Sequence, residues 1–417
     1  MKILQVNCVY NKGSTGKIVA DVHAALIERG FTSLVCYGRG QKSSDPAVIK
    51  TCGELYSKLQ QAKTRLSGVM YGGCRRSTRK LTSIIQREKP DVVHLHCING
   101  YFVNIYRLVT WLKEHHIKTV LTLHAEFMHT ANCGHAFDCE KWKTGCGSCP
   151  RLRTETKSLF FDGTHRSWKR MARAFHGFDE DLLVTSVSPW LMERAKQSPI
   201  LGDKKHTVVL NGLEPSIFHL RDTAALRARY AMNGEAILFH ATPNFNLNPN
   251  HIKGGYYINE LAKRFAGQNI KIIVAGPYSE VIEVAENVIL LGRVSDQELL
   301  AAYYSMADIT LLASKRETFS MVTAESLASG TPVVGFAAGG PEQIALPAHS
   351  TFVPYGDLDA LESAVRARLA DLPPKKTVSE EALRVYAKSV MAEGYLNAYT
   401  TILNSTQQEE SPCKKNV

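Results

Sequence analysis

The sequence predicts an α/β protein of two doubly wound, parallel-sheet domains, and three observations carry that prediction. At 417 residues the chain is longer than one hydrophobic core normally holds. Short β-branched runs alternate with helical patterns along the whole chain, which is the mark of parallel sheets with crossover helices. The stretch 314–343 reads as the end of a strand, a loop, a helix and a second strand with a glycine loop, and it carries Glu317 and Glu325 on either side of the helix start.

The first domain opens with a strand over 3–9, a loop containing Gly13 and Gly16, and a helical pattern through Ile18, Val19, Val22 and Leu26. The run Gly13-Ser14-Thr15-Gly16-Lys17 invites a phosphate-loop reading. It lacks the earlier glycine, and Ile18 stands where a magnesium-binding hydroxyl is needed, so that reading is rejected. Further strands are predicted over 33–37, 92–96, 119–123 and 183–188, with His124 at the carboxyl edge of the third.

Four of the ten cysteines, Cys133, Cys139, Cys146 and Cys149, fall within 17 residues. In a reducing compartment four thiolates read as a structural tetrahedral zinc site, with His135 as a substitute ligand. Free or redox-paired thiols are the other reading. A bare zinc knuckle suggests a nucleic-acid binder, but here the cysteines interrupt an α/β domain.

In the second domain strands are predicted over 236–240, 270–276, 288–294 and 309–313. Between the first two lies a polar loop ending in Lys253-Gly254-Gly255. Helical spacing from Met321 ends at Gly330. Glu317 thus sits on a loop at a strand's carboxyl end, where open α/β sheets bind ligands. The amides of Ser320, Met321 and Val322 start the helix and can hold a phosphate. A carboxylate beside a phosphate repels it unless it serves something else, and a ribose or sugar diol is the natural taker. A nucleotide sugar is therefore indicated.

The ordered set S-x-x-E, E-x7-E, A-x-G-x-P-V-V and G-G-x-E between Ser314 and Glu342 resembles the retaining family-4 glycosyltransferases of GT-B fold. The resemblance implies two Rossmann-like domains facing across a cleft, with Glu317 on the donor sugar and Glu325 on the ribose. His124, after a T-L-H strand, is implied to touch the donor sugar, and Ala125 replaces the family's usual Asp, so any contact that Asp makes is either missing or supplied by Glu126. Lys253 matches a diphosphate-binding Lys. The accompanying Arg is Leu247 here, so Lys315 or Arg316 is the expected substitute. The loop with Gly13 and Gly16 is implied to approach the diphosphate, and the turn with Arg293 the base. The cysteine insert narrows the resemblance to a colanic-acid-like capsule and exopolysaccharide group. No D-x-D motif stands at a strand end. The implied chemistry uses no catalytic metal: Lys253, helix amides and the Gly13–Gly16 loop stabilise the leaving diphosphate.

The implied domains are 1–200 on the acceptor side with the cysteine insert at 133–149, 201–381 on the nucleotide-sugar side, a returning helix over 382–404, and a disordered tail over 405–417. Net charge is +11, and residues 1–200 carry 30 Lys and Arg against 16 Asp and Glu. A basic first half calls for an anionic partner. Lys58, Lys63, Arg65, Arg75, Arg76, Arg79 and Lys80 are interleaved with Leu55, Leu59, Leu66, Val69 and Met70, as on a helix that lies on anionic lipid. A solvated basic face is the alternative. The resemblance implies a glycan or polyprenyl-diphosphate-linked acceptor, which favours the membrane and no nucleic acid. No apolar run is long enough to span a bilayer, and the first strand is too short for a signal segment. A cytoplasmic protein, peripheral on the inner face of the membrane, is expected. The rivals are a GT-B sugar-nucleotide epimerase and a zinc-bearing nucleic-acid-binding protein.

Overall fold

In a computed structural model describing residues 1–279 and 281–404, the chain divides into two units, one of 1–210 with the chain from Met391, the other Asn211–Val390. The expected tail at 405–417 lies outside the described residues.

The first unit is built on seven parallel strands: β1 (Lys2–Asn7), β2 (Thr32–Tyr37), β3 (Val48–Lys50), β4 (Val92–Leu95), β5 (Thr119–Leu123), β6 (Leu182–Ser186) and β7 (Lys205–Val208). They run in the order β3-β2-β1-β4-β5-β6-β7. Order reverses between β1 and β4, so the carboxyl ends of those two strands splay apart and leave a crevice. The strands are apolar on both faces because helices cover both. One face packs Ile3, Val92, Val120 and Leu183 against Ile18, Val22 and Leu26 of the helix Gly13–Glu28, and against Met391, Tyr395, Tyr399 and Ile402 of the terminal helix Lys388–Asn404. That last helix lies so close that a side-chain carbon at Gly394 would stand 2.9 Å from Val209.

The second unit repeats the plan with six parallel strands: β8 (Ala236–Ala241), β9 (Ile270–Ala275), β10 (Val288–Gly292), β11 (Ile309–Leu312), β12 (Val333–Phe336) and β13 (Ser350–Val353). Their order is β10-β9-β8-β11-β12-β13, so the reversal falls between β8 and β11, which pair through Ile309 with Leu238 and Thr310 with Phe239. Leu238, Ile272, Val274, Leu311 and Val334 form its core with Ile258, Leu261 and Val365 from flanking helices.

Both domain boundaries differ from the expected ones. The first moves from 200 to Leu210, because β7 pairs with β6 as an edge strand and the Val209 N–H reaches the Ser186 carbonyl at 3.0 Å. The second moves from 381 to Val390. The helix Lys375–Tyr386 belongs to the second unit, where the Ser379 hydroxyl donates to the Ala328 carbonyl at 2.5 Å and the Tyr386 hydroxyl to that of Ile344.

Candidate functional site

In the second unit, a cavity of about 470 Å³ opens at the carboxyl ends of β8, β9 and β10, bounded by Thr242, Gly276, Arg293, Tyr304, Val322 and Glu325. Its position follows from the strand order, since the reversal beside β8 leaves room there. Gly276 has no side chain because a Cβ would stand 2.4 Å from the Thr242 carbonyl oxygen. Gly292, at φ +74°, turns the chain where the β9–β10 register slips, and Arg293 follows on the cavity wall.

The helix Met321–Ala328 starts beside that wall. Ser320 caps it from a left-handed backbone (φ +84°), and its hydroxyl oxygen accepts from the Thr323 N–H at 3.3 Å and the Thr323 hydroxyl at 3.0 Å. The amides of Met321 and Val322 stand in the first turn, which has no intrahelical acceptor for them. Glu325, one turn on, accepts from the Tyr304 hydroxyl at 3.2 Å, and Tyr304 is fully buried. Burial first, and the Glu325 charge second, push the Tyr304 hydroxyl well above its ordinary pKa, so it stays a donor.

Lys253 and Glu317 meet at the end of β11. Lys253 Nζ donates to Glu317 Oε1 at 2.5 Å, and both side chains are about one-fifth exposed (24% and 20%). Two loops are held to make that meeting. Gly254, at φ +67°, lies against Ala313, whose carbonyl oxygen would be 1.9 Å from a Cβ there. The Lys315 N–H bonds the Ile252 carbonyl at 2.8 Å. Glu317 is itself fixed by its backbone, which exchanges hydrogen bonds with Ala338 (3.0 Å) and Gly340 (2.9 Å). Glu342 accepts from the N–H groups of Ala338 at 3.0 Å and Gly339 at 2.8 Å, so the last motif glutamate holds the glycine loop that holds Glu317. Leu247, standing where a second cation was sought, packs on the core. Lys315 places its ammonium over the Tyr355 ring at 5.7 Å.

Gly13, Gly16 and His124 lie in the first unit. Gly13 has φ +65°, and Gly16 approaches its own chain: a Cβ there would stand 3.1 Å from Val9 and 3.3 Å from the Asn11 nitrogen. His124, just beyond β5, is buried beside His94 and His96. Burial lowers its pKa to about 4. Glu126 does not stand in for the missing Asp. Its carboxylate is wholly buried, accepting from the Ala136 N–H at 2.7 Å and from Arg194 Nε at 2.5 Å.

The cysteine segment folds about Trp142, which is buried and donates to the Cys139 carbonyl at 2.8 Å. Burial pushes the thiols of Cys133 and Cys146 up to about 12 and about 11. The expected zinc set of Cys133, Cys139, Cys146 and Cys149 is not assembled. Among the described residues no three His, Cys, Asp or Glu side chains are placed to hold a metal ion. His135 turns to the Phe137 ring, 5.9 Å away. The segment is held instead by Trp142, by the Arg194–Glu126 pair, and by the Cys149 N–H bonded to Asp162 at 2.6 Å.

A second concavity of the first unit, about 1050 Å³, lies between the helices Glu54–Ser67, Arg75–Glu88 and Thr164–Phe175. Leu59, Leu66 and Val69 line it together with Lys63, Arg75 and Arg170. At its edge Leu159, Phe160 and Phe161 are 56%, 70% and 66% exposed, on a loop whose Leu159 N–H bonds the Arg65 carbonyl at 2.8 Å. Sequence reasoning found the basic helix but missed this aromatic loop. Two adjacent phenylalanines in a polar stretch were its only signal. Among the described residues no helix is long and apolar enough to cross a membrane.

Residues 246–371 match the family model described as glycosyl transferases group 1. Over 422 aligned residues the chain is 22% identical to the putative colanic acid biosynthesis glycosyl transferase WcaC of Escherichia coli K12, covering 96% of this chain and all of that protein. Among solved structures, sucrose-phosphate synthase from Thermosynechococcus elongatus superposes with a TM-score of 0.67 at 16% identity, covering 97% of this chain and all of that one. Anabaena Alr3699/HepE in complex with UDP-glucose gives 0.61 at 13% identity, covering 96% of this chain and all of that one.

Proposed function

From a chain that is a group 1 glycosyltransferase of GT-B fold, we propose that it transfers a sugar, with retention, from a nucleoside-diphosphate sugar to a glycan acceptor in surface polysaccharide biosynthesis. The observation that carries the donor side is the cavity of the second unit with Glu325 on its wall and the Met321 and Val322 amides at its helix start. Glu325, steadied by Tyr304, holds the ribose hydroxyls. The amides and Lys253 hold the diphosphate, and Arg293 stands against the base. Glu317 orients the sugar's hydroxyls. The UDP-glucose in the Anabaena neighbour makes UDP sugars the first donors to test.

In the reaction the bond from the anomeric carbon to the phosphate oxygen breaks as the acceptor hydroxyl bonds that carbon on the same face. The acceptor's proton passes to the departing phosphate oxygen, so no protein carboxylate is needed as base. Negative charge grows on the diphosphate, and Lys253 with the two amides stabilises it there.

The acceptor is read as lipid-linked, presented at an anionic membrane. The exposed Leu159, Phe160 and Phe161 beside the basic groove support this reading, since an apolar tip ringed by cations fits an anionic bilayer surface.

The test is thermal stabilisation by UDP, GDP and ADP and their sugars at fixed salt. A ligand at a hundred times its dissociation constant adds about 2.7 kcal/mol of stability. Stabilisation by one nucleotide family, abolished in Glu325→Ala, is expected. Stabilisation undiminished in that variant would remove the ribose from Glu325.

A further inference from the structure

In the first unit, four arginines from three helices line one small cavity of about 270 Å³. Arg75 opens the helix Arg75–Glu88, Arg107 stands in the first turn of the helix Ile105–Glu114, and Arg170 and Arg173 lie one turn apart on Thr164–Phe175. The helix Ile105–Glu114 follows β4, so its start lies at the carboxyl edge of the first sheet, where such sheets bind ligands. The loop beneath is tied to that start. Asn104 accepts from the Arg107 N–H at 3.1 Å and donates to the Gly72 carbonyl at 2.7 Å, and the Tyr106 hydroxyl donates to the Met70 carbonyl at 2.7 Å. Gly72 makes room for Arg170: a Cβ there would stand 3.2 Å from its Nη1, and the guanidinium lies over the Tyr106 ring at 5.9 Å.

Four like charges around one cavity repel one another. Arg75 and Arg107 also stand at helix starts, where the dipole disfavours a cation, and neither first turn holds an acid. No acidic residue lines the cavity, and among the described residues none of the four guanidiniums is in an ion pair. Glu114 lines the adjoining hollow, with Arg79 and Trp111. An anion of two or more charges relieves this repulsion, and guanidinium forks match phosphate oxygens. The cavity is continuous with the larger one of about 1050 Å³, since Gly72, Arg75 and Arg170 line both. There the walls turn apolar through Leu59, Leu66 and Val69, and Leu59 and Leu66 are 55% and 50% exposed. A ligand that matches both parts is an amphiphile with a multiply charged anionic head.

We propose that this groove binds a phosphorylated lipid, with a head of two or more negative charges held by Arg75, Arg107, Arg170 and Arg173 and its chain lying along Leu59, Leu66 and Val69. The proposal deepens, and rests on, the reading of the acceptor as lipid-linked. A phospholipid diester carries one charge and leaves most of the cluster unpaired, whereas a nucleic acid has no apolar chain for the trough.

The experiment titrates the full chain calorimetrically with farnesyl diphosphate at fixed salt, and with farnesol and inorganic diphosphate, which each keep one half of the ligand. Farnesyl diphosphate should bind at least about tenfold more tightly than either. Arg107→Gln and Arg170→Gln each remove one guanidinium and should each weaken it about tenfold or more, the value of one hydrogen bond to a charged group. Should one of these variants fail to fold, the other decides. Lys253→Ala should leave the affinity unchanged, because Lys253 lies in the second unit. Loss in Lys253→Ala with no change in the arginine variants would place the ligand in the donor cavity and overturn the proposal. Inorganic diphosphate binding as tightly as the lipid, or displacement of the lipid by single-stranded RNA at equal phosphate concentration, would overturn it too, since the groove would then read phosphate alone. Phosphatidylglycerol vesicles separate this proposal from membrane docking. If farnesyl diphosphate binds through the arginines while the protein ignores the vesicles, the groove stands and the docking face falls. If the protein sediments with the vesicles while farnesyl diphosphate binds no better than farnesol, the proposal falls and the docking face stands.

Discussion

Lys253 and Glu317, 64 residues apart in sequence, close an ion pair of 2.5 Å at the carboxyl end of β11. The pair joins the one motif lysine of the β8 loop to the first motif glutamate. A pair of this exposure contributes at most about 1 kcal/mol to stability. Its geometry is therefore better explained by what it does with a ligand. Without a diphosphate, Glu317 keeps the Lys253 ammonium at the end of β11. Lys253→Ala should cut kcat/KM about 100- to 1000-fold, the usual effect of losing one group that stabilises transition-state charge. Its melting temperature should barely move. A large melting shift with a small kinetic one would make the pair structural.

Glu325 and Tyr304 give a graded pair of variants. Glu325→Ala removes the carboxylate proposed to hold the ribose and should raise the donor KM by about 10- to 100-fold, whereas Tyr304→Phe leaves the carboxylate in place and loses one hydrogen bond that steadies it, for about a three- to tenfold rise. Donor KM values for the two variants check the order. A larger effect from Tyr304→Phe than from Glu325→Ala would contradict it.

Glu342 does not line the cavity beside β8, β9 and β10, yet it governs Glu317 through the glycine loop. Its carboxylate takes two backbone N–H groups, and hydrogen bonds to a charged acceptor are worth about 1.5–3 kcal/mol each. Glu342→Ala should lower stability by about 2 kcal/mol or more and reduce activity with it. Gly340→Ala should do the same by another route, since its Cβ would stand 2.4 Å from the Thr318 carbonyl oxygen. Thermal unfolding and kcat measured together check both. Full activity in either variant would free Glu317 from this loop.

The parts of this molecule that sequence made legible are those where local pattern and final environment agree. β5 and β11 are buried on both faces, and their apolar runs announced them at nearly their observed lengths. β3, β7 and β13 passed unseen, being strands of three or four residues at or near sheet edges, where partial exposure breaks the apolar run. Glu317 and Glu325 were legible as candidates because a strand end and a helix start mark their loop, whereas Lys253 was singled out only through the family resemblance. Tyr304 was not, because a tyrosine at helical spacing looks like any core residue until its hydroxyl is seen beside Glu325. Of the two readings of the missing Asp, the one through Glu126 falls away because sequence adjacency to His124 says nothing about direction: its neighbours are Arg194 and the Ala136 amide. The cysteines cluster along the chain, but clustering in sequence does not by itself set three donors around one point, and among the described residues no such group is placed.

The aromatic loop predicts a membrane affinity that two side chains control. Burying a phenylalanine is worth about 1.5–3 kcal/mol. Replacing Phe160 and Phe161 with serine should therefore lower partition onto anionic vesicles by roughly 100-fold or more. Sedimentation with phosphatidylglycerol vesicles, against neutral ones and at two salt concentrations, measures it. Wild-type protein that stays in solution with anionic vesicles would rule out this docking face.

Three neighbouring buried histidines, His94, His96 and His124, help to set the acid limit of the first unit. Burial holds His124 at about 4 and His94 and His96 well below their ordinary value, whereas in the unfolded chain each titrates near 6.5. A histidine depressed in this way binds its proton only on unfolding. Its contribution is complete above the unfolded pKa and is lost as pH falls from about 6.5 toward the folded value. Each costs up to about 1.4 kcal/mol per pH unit in that window, so three together cost up to about 4. Glu126 acts lower down. Burial alone would raise its carboxyl, but the hydrogen bond and charge of His129, the charge of Arg194 and the Ala136 N–H together hold it at about 2, so its contribution is lost only below about 4.5. Urea midpoints measured from pH 7.5 to 4.5 should accordingly stay level down to about 6.5 and then fall steeply, with no carboxylate needed to explain the drop. His94→Gln should flatten the slope by about one histidine's share if it folds. A midpoint that stays level down to pH 5 would mean that these rings keep a proton in the folded state.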